Sequence, residues 1–425
     1  MFVWVKIGLL SFGGPVGQIA LMHQELVERR RWISDRRFVH ALNYCMLLPG
    51  PEAQQLAVYI GWLLHGRRGG VAAGLWFVLP GALFLLGICA VYVTWGQLPA
   101  LAAVFYGLKA AVLAIVAQAV LKIGRKILRH PILWAIAGAS FLAIFAFSSP
   151  FPLVIASALV LGWFLGQKYP QLFELKNAAT EVGALAENAY LISDCGAVKK
   201  GGSRGALALE ALFWFAVWLA PLGLCLFFLG WGNILTQVSW FFTKVATVTF
   251  GGAYAALPYV AQQAVEVHGW LSPREAMDGL GLAETTPGPL ILVLQFVGFL
   301  AGWTQESGGT SWLRAFAAAG LASWATFAPG FLFIFAGAPL IEHTRGMVRL
   351  GHALSAVTAA VVGVVLNLAV WFGWHCLRPD GGEWDFTPII LGTFLFLTMF
   401  RWKWGVLRVL AAGAVLGGIH AVFFQ

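Results

Sequence analysis

Two stretches of this sequence decide the fold, because each repeats the pattern of the other. Residues 6–51 read KIGLLSFGGPVGQIALMHQELVERRRWISDRRFVHALNYCMLLPGP, and residues 244–289 read KVATVTFGGAYAALPYVAQQAVEVHGWLSPREAMDGLGLAETTPGP. The two stretches align without a gap at a spacing of 238 residues, and 14 of their 46 positions are identical. The identities include a Phe-Gly-Gly triplet, a Pro-Gly-Pro triplet and a Trp, which apolar low-complexity sequence rarely matches by accident. We therefore predict two homologous halves.

The composition around these repeats is that of a membrane protein. Of the 425 residues, 60% are apolar and 11% are charged, whereas soluble domains average about 45–50% and about 25%. At about 20 residues per crossing, the apolar runs supply about ten or more transmembrane helices. We therefore predict an all-α polytopic membrane protein embedded in a lipid bilayer. This excludes a soluble enzyme, a disordered chain and a disulfide-rich scaffold.

The net charge of +9 has an ordinary explanation in such a protein. Cytoplasmic loops of membrane proteins collect Lys and Arg, so the excess does not indicate a nucleic-acid partner. The five cysteines are scattered without metal-ligand spacing, and no phosphate-binding P-loop is present. We expect no metal, no cofactor, no ATP-driven step and no enzymatic activity.

A long polar stretch separates the two halves. We assign residues 1–167 to an N-terminal repeat, 168–205 to a cytoplasmic linker and 206–425 to a C-terminal repeat. The window 21–40 holds five arginines, whereas its mate at 259–278 holds one. Because Lys and Arg mark the cytoplasmic side, these windows are expected on opposite sides of the membrane. The halves would then be inverted repeats, which are typical of secondary transporters with a substrate site near the midplane.

Each half carries the same two interruptions, at its FGG and PGP motifs. Proline lacks an amide donor and clashes with the preceding turn, so PGP ends one helix and can begin another. Broken or re-entrant helices are tolerated at membrane depth where they line a cavity. A helix that restarts there directs free N–H groups and a positive dipole end at an anion. The alternative is that the glycines allow tight helix crossing and the prolines mark ordinary helix ends; recurrence in both halves favours a substrate site.

The residues predicted to bind substrate belong to these interruptions, to polar side chains beside them and to one cation in an apolar run. They are Gly13, Gly14, Pro15, Gln18, Pro49, Gly50, Pro51, Gln54, Lys109, Gly251, Gly252, Thr285, Thr286, Pro287, Gly288 and Pro289. Lys109 is costly at membrane depth, so it is expected to face a cavity, to pair with an acid or to reach the headgroups. An anion pathway is one of these readings, and the others stay open.

Three charged residues are candidates for coupling, gating or substrate recruitment. Glu52 begins a helix after PGP, where it either stabilises the helix dipole or competes with a bound anion until it is protonated or displaced. Glu284 precedes the second PGP and is not at the equivalent position, so the halves differ chemically there. Arg36 lies in an amphipathic interfacial segment and either recruits anions at an entrance or anchors the chain at the headgroups.

The motifs resemble those of the chromate ion transporter (CHR) family over essentially the whole chain. The resemblance rests on SFGGPVGQ at 11–18, LPGPEAQQLA at 48–57, TFGGAY at 249–254 and TTPGPL at 285–290. It implies export of chromate across the bacterial inner membrane, which confers chromate resistance, with sulfate as the structural mimic. Two alternatives remain, a proton-coupled importer of sulfate or another oxyanion and a membrane scaffold subunit that transports nothing. The sequence leaves the oligomeric state open, a homodimer included.

Overall fold

A computed structural model describes residues 1–11, 14–96, 98–168, 190–192, 204–250, 252–303, 311–341, 348–379 and 382–424. Over these residues the chain forms sixteen α-helices and, in place of sheets, one isolated β-bridge between Ile33 and Ile192. The predicted all-α class is confirmed. Most of the predicted linker lies outside the described residues.

The helices of the first half are α1 (Phe2–Leu10), α2 (Gly14–His23), α3 (Asp35–Cys45), α4 (Glu52–Trp95), α5 (Pro99–Ile127), α6 (Pro131–Phe145) and α7 (Phe151–Lys168). Those that follow the linker are α8 (Arg204–Leu229), α9 (Ile234–Val248), α10 (Ala253–Gln262), α11 (Pro273–Thr285), α12 (Val293–Trp303), α13 (Trp312–Ile341), α14 (Val348–Leu377), α15 (Thr387–Arg401) and α16 (Val406–Phe424). Short π-helical turns extend α2 and α10, at Gln24–Arg29 and Gln263–Val267, and a 3-10 turn, Leu290–Leu292, precedes α12.

Six of the described helices are long and apolar enough to cross a membrane, namely α4, α5, α8, α13, α14 and α16. Four shorter apolar segments accompany them, formed by α6, α7, α12 with its 3-10 turn, and α15. Large apolar side chains face outwards along α8, where Phe227 and Phe228 are 82% and 72% exposed. An apolar surface of this kind requires lipid around it, so the protein is a multi-pass membrane protein.

Helix α4 is a hairpin rather than one rod. Its 44 residues are interrupted at His65 and Gly66, and Gly66 has a φ of 67°. The chain turns back there, so that a Cβ on Gly61 would lie 2.5 Å from the Cβ of Ala73. Helices α12 and α13 form the corresponding close pair in the second half, where a Cβ on Gly298 would lie 2.7 Å from that of Ala322. Small residues therefore let a short helix lie directly against a long one in both halves.

The backbone repeats the 238-residue spacing seen in the sequence. Gly14 and Gly252 both have positive φ, at 75° and 87°, and Gly50 and Gly288 do so at 110° and 106°. The turns that follow the π-helical segments are also alike, because the amides of Trp32 and Trp270 each donate over 2.8 Å to the carbonyl six residues earlier. The two halves therefore fold alike over the repeated stretch.

The long helices beyond the repeated stretch are exchanged between the halves. Helix α5 of the first half packs on α15 and α16, and α14 of the second half packs on α6 and α7. Glycines make both contacts close, since a Cβ on Gly107 in α5 would overlap the Gly413 carbonyl in α16. Likewise a Cβ on Gly162 in α7 would lie 2.5 Å from the Cβ of Ala356 in α14. Each half thus covers a helix of the other.

Helix α13 and the long arm of α4 correspond in the repeat and pack against each other. Gly70 lies against Phe335 and Gly74 against Phe331, so residue numbers rise along one helix while they fall along the other. The two helices are therefore antiparallel. Corresponding helices that cross a membrane in opposite directions are what inverted repeats require.

Three residues of the linker, 190–192, pair with the loop that follows α2. The amides of Leu191 and Ile192 donate to the carbonyls of Arg31 and Trp32 over 3.1 and 3.0 Å, and the Ser34 amide donates to the Ile192 carbonyl over 3.2 Å. This part of the linker therefore lies on the same face of the protein as the arginine-rich window.

Candidate functional site

The interruptions of the two halves meet and are hydrogen-bonded across the pseudo-symmetry. The Gly50 amide of the first PGP donates to the Thr249 carbonyl over 2.7 Å, and the Gly288 amide of the second PGP donates to the Ser11 carbonyl over 2.9 Å. Ser11 and Thr249 stand directly before the two FGG motifs, 238 residues apart. Each PGP is thus joined to the FGG segment of the other half, and the four breaks form one centre.

The local sequence explains why the helices stop at this centre. Pro49 and Pro51 supply no amide hydrogen, and Gly50 adopts a φ of 110° that disfavours any side chain. The next helix, α4, begins at Glu52 with Pro51 as its N-cap. Close approach matters as well, because a Cβ on Gly81 of α4 would overlap the Pro287 carbonyl oxygen.

A small cavity lies within this centre and is lined by residues from both halves. Its volume is about 10 Å³, which is room for about one water molecule. The cavity is lined by Gln18, Pro51, Glu52, Ala53, Gly252, Ala253, Pro289, Leu290 and Ile291. This conformation is therefore closed at the centre, and a tetrahedral oxyanion would enter only after the halves separate.

Two helix N-termini point at this cavity, one from each half. Helix α4 begins there at Glu52, and α10 begins there at Ala253 with Gly252 as its N-cap. The first-turn amides of a helix have no intrahelical partner, and the positive ends of two helix dipoles favour an anion. The buried Glu52 carboxyl lines the same cavity, so its negative charge opposes the anion unless the group is protonated or moves away.

Glutamine amides surround the centre and differ in how they are satisfied. The side-chain amide of Gln18 donates to the Gly288 carbonyl over 2.8 Å, and that of Gln55 donates to the Pro49 carbonyl over 2.7 Å. These bonds hold the PGP backbone in place. Gln54 is fully buried, and among the described residues both its amide nitrogen and its amide oxygen lack a partner. Its amide lies against Gly330 of α13 and does not line the cavity, so this buried donor is not part of the cavity wall in this conformation.

A second buried acid, Glu284, lies beside the centre and belongs to the second half. The Tyr254 hydroxyl donates to Glu284 over 2.7 Å, and both side chains lie beside the breaks, because a Cβ on Gly14 would touch the Tyr254 ring. The hydroxyls of Thr285 and Thr286 donate to the Leu282 carbonyl. Their donors are thus engaged within α11 in this conformation.

Lys109 does not lie at this centre. It lines a separate cavity of about 300 Å³ together with Tyr106, Arg274, His375 and His420. Arg36 is exposed in the first turn of α3. Gly13 and Gly251 lie outside the described residues, as does the side chain of Pro15.

Three residues of two hydrogen-bonded polar pairs were not predicted as functional: Tyr254, which pairs with the predicted Glu284, and the pair of Tyr92 and Asp278. Tyr254 aligns with Val16 in the repeat. Because the first half has no hydroxyl at that position, the comparison of the halves did not mark Tyr254 as a candidate. The Tyr92 hydroxyl donates over 3.0 Å to Asp278, a carboxyl that is 1% exposed. Asp278 is the one charged residue in the stretch AMDGLGLA at 276–283, and that is the signal that would have found it. In the described residues no group of three or more His, Cys, Asp or Glu side chains is placed to hold a metal ion.

A charged cluster at the end of α2 has a structural role. Glu25 is buried and its carboxylate lies 2.8 Å from the Lys6 ammonium, 2.7 Å from Arg29 and 3.6 Å from Arg30. The hydrogen bond from Lys6 holds the pKa of Glu25 below its usual value, against the effect of burial, with help from Arg29. The cluster ties α1 to the π-helical turn after α2.

Comparison with known proteins places these features in a family. A family model described as chromate transporter matches residues 1–163 and 236–418. The chromate transport protein of Pseudomonas aeruginosa is 34% identical over 366 residues, covering 85% of this chain and 77% of its own. The probable chromate transport protein of Synechococcus elongatus is 28% identical over 414 residues, 95% of this chain and 89% of its own.

A third relative, the chromate transport protein of Cupriavidus metallidurans, is 27% identical over 419 residues, 98% of this chain and 91% of its own. No solved structure matches this chain. The two matched segments of the family model contain both sets of FGG and PGP motifs that build the centre. With both halves matched and the relatives aligned along most of its length, the chain belongs to the chromate transporter family.

Proposed function

We propose that this protein is a secondary transporter that exports chromate across the inner membrane and so confers chromate resistance. The observation that carries the proposal is the convergence of the α4 and α10 N-termini on one cavity at the meeting point of the two halves. Two positive helix ends from different halves suit a doubly charged oxyanion. Sulfate has the same charge and shape as chromate, so the site alone does not select between them. The choice of chromate comes from the names of the relatives.

The same centre suggests how the transporter alternates. The hydrogen bonds from Gly50 to Thr249 and from Gly288 to Ser11 join the halves, and the cavity between them has room for about one water molecule. Rocking of one half against the other would break one bond of this pair and widen the cavity toward one side. Because the halves are inverted, opening the cavity toward one side of the membrane is nearly equivalent to opening it toward the other. This equivalence is the basis of alternating access in repeat transporters.

Electrostatics favours export over uptake for this substrate. Each charge that crosses 100 mV changes in free energy by about 2.3 kcal/mol. A dianion that leaves a negative interior therefore gains about 4.6 kcal/mol per 100 mV without a coupled ion. Uptake of the same ion would require more than two coupled protons to become electrically favourable.

Uptake of labelled chromate into everted membrane vesicles tests the proposal. Accumulation driven by an inside-positive potential and blocked by excess sulfate is the expected result. Accumulation of sulfate that requires a proton gradient, in right-side-out vesicles only, would favour the importer. If no gradient drives transport, in vesicles or in proteoliposomes that contain the purified protein, the remaining interpretation is a membrane scaffold subunit that transports nothing.

A further inference from the structure

The cavity that contains Lys109 has no part in the transport centre just described. It is lined by α5 of the first half and by α11, α14 and α16 of the second. Its volume of about 300 Å³ stands at the lower end of the range of ligand pockets, about 300–1,000 Å³. At about 30 Å³ per water, it has room for a tetrahedral oxyanion and part of its hydration shell.

The polar groups on the cavity wall are cationic or neutral. Its polar lining consists of Lys109, Arg274, the imidazoles of His375 and His420, and Tyr106. The Tyr106 ring stacks on His420 with 4.8 Å between centroids, which orders that side of the cavity. Among the described residues the cations stand on the lining and no carboxylate does, so Lys109 and Arg274 are the charged groups that an anion in the cavity would contact first.

Three carboxylates lie near the cavity without lining it, and each is held by a neutral donor. Asp278 accepts from the Tyr92 hydroxyl over 3.0 Å, and Asp385 accepts from Tyr106 over 2.7 Å. Glu275 accepts from the amide and hydroxyl of its own N-cap, at 2.8 and 2.9 Å. Lys109 acts electrostatically on Asp278, so the structure gives Lys109 two candidate roles, which are compensation of this acid and attraction of an anion.

The two fixed cations come from different halves of the molecule. Lys109 is in the middle of α5, and Arg274 is in the first turn of α11, which leads directly to the second PGP motif. An anion bound between them would bridge the two halves. The arginine-poor repeat window that contains Arg274 is the one expected on the external side, so in the proposed direction of transport the ion would be released on this face.

We propose that this cavity is a second anion subsite, in which a tetrahedral dianion such as sulfate or chromate binds between Lys109 and Arg274 outside the central site. The proposal rests on the proposed function for its substrate and on the cavity for its position. A phosphate of an anionic lipid headgroup offers the same chemistry, and the experiment must distinguish it from the free ion.

Equilibrium binding of labelled sulfate to the purified full-length protein tests this inference. In zwitterionic detergent and lipid we expect two sulfates per chain for the unmodified protein and one for Lys109→Ala/Arg274→Ala. Loss of a charged hydrogen-bonding partner is worth about tenfold or more in affinity, so each single variant should weaken one site by about tenfold. Lys122→Ala is the matched control, because Lys122 is exposed on the same helix about 20 Å away.

A second variant separates anion binding from charge compensation. In Lys109→Ala/Asp278→Asn the buried acid no longer needs a cation, so folding is protected while the binding cation remains absent. Persistent loss of one sulfate site supports the proposal, whereas recovery of that site would overturn it. Equal binding by the unmodified and the Lys109→Ala/Arg274→Ala proteins would also overturn it, as would displacement of sulfate by phosphatidylglycerol at that site.

The two proposals fail in different ways. If the central transport mechanism is wrong, labelled chromate does not cross vesicle membranes even though sulfate still binds at the second cavity. If the second subsite is wrong, chromate crosses the membrane and the cavity variants bind as much sulfate as the unmodified protein.

Discussion

Gly81 offers a direct test of the contact that joins the two halves. It lies inside α4, buried, where a Cβ would overlap the Pro287 carbonyl oxygen and stand 3.1 Å from the Cα of Gly288. In a helix interior, Gly→Ala on its own stabilises by about 0.5–1 kcal/mol. The added methyl group of Gly81→Ala therefore acts against the closed arrangement of the halves and not against the helix.

The size of the effect follows from the backbone nature of the clash. Overpacking a tight site costs about 1–3 kcal/mol, and a cost borne by one conformation lowers the ratio of that conformation to the others about 5- to 150-fold. Because alternating access passes through the closed conformation, we expect the initial rate of labelled chromate uptake into everted vesicles to fall at least about fivefold. Membrane levels of the variant, measured by immunoblot, should stay normal.

Gly87→Ala is the matched control for this experiment. Gly87 lies on the same helix, is exposed, and has no atom within 4 Å of its added Cβ. It carries the same change in helix propensity without the clash. If Gly81→Ala and Gly87→Ala transported chromate at the same rate and at equal membrane levels, the closed contact between α4 and the second PGP would have no part in transport.

Four further predictions follow from the centre and its surroundings. Glu52→Gln removes the charge that this carboxyl carries when it is ionised, so the sulfate concentration that half-inhibits chromate transport should fall about tenfold at alkaline pH; an unchanged value there would contradict the role given to this acid. Gly252→Val places a branched side chain at a φ of 87° and should abolish transport at normal membrane levels. Tyr254→Phe leaves a buried carboxyl without its donor and should lower the free energy of unfolding in detergent by about 1–3 kcal/mol, with an equal melting curve as the opposing result. Because the pKa of Glu25 is lowered in the folded protein, its stabilising effect is complete above the usual carboxyl range and is lost as pH falls through the lowered pKa; thermal unfolding of Glu25→Gln should therefore depend less on acid pH than that of the unmodified protein.

The helix interruptions were predictable because they depend on backbone chemistry. Gly50 and Gly288 adopt left-handed backbone next to prolines that cannot donate, and such residues are readable in a sequence without knowledge of the tertiary structure. The duplication showed that the FGG and PGP motifs of one half correspond to those of the other. The meeting of these motifs at one centre could therefore be predicted from the sequence.

Other features depend on tertiary contacts that leave a weak trace in sequence. The reversal at His65 and Gly66 falls at the start of the Gly-Arg-Arg-Gly-Gly stretch at 66–70, whose composition does not by itself distinguish a hairpin turn from the end of a span. Lys109 was grouped with the breaks because a cation in an apolar run marks a functional site in general, without saying which one. Its actual neighbours come from α11, α14 and α16, and that placement follows from the exchange of helices between the halves.

The exchange of α5 and α14 has a consequence for how such a protein can be made. Each half contains one helix, α5 or α14, that packs against helices of the other half. A half expressed alone would therefore expose the packing surface of that helix. A chain cut between residues 193 and 203 keeps every described helix contact, together with the pairing of 190–192 to the loop after α2. Two gene fragments divided there would be expected to reassemble as a heterodimer, held by the same interlocked helices that a continuous polypeptide uses.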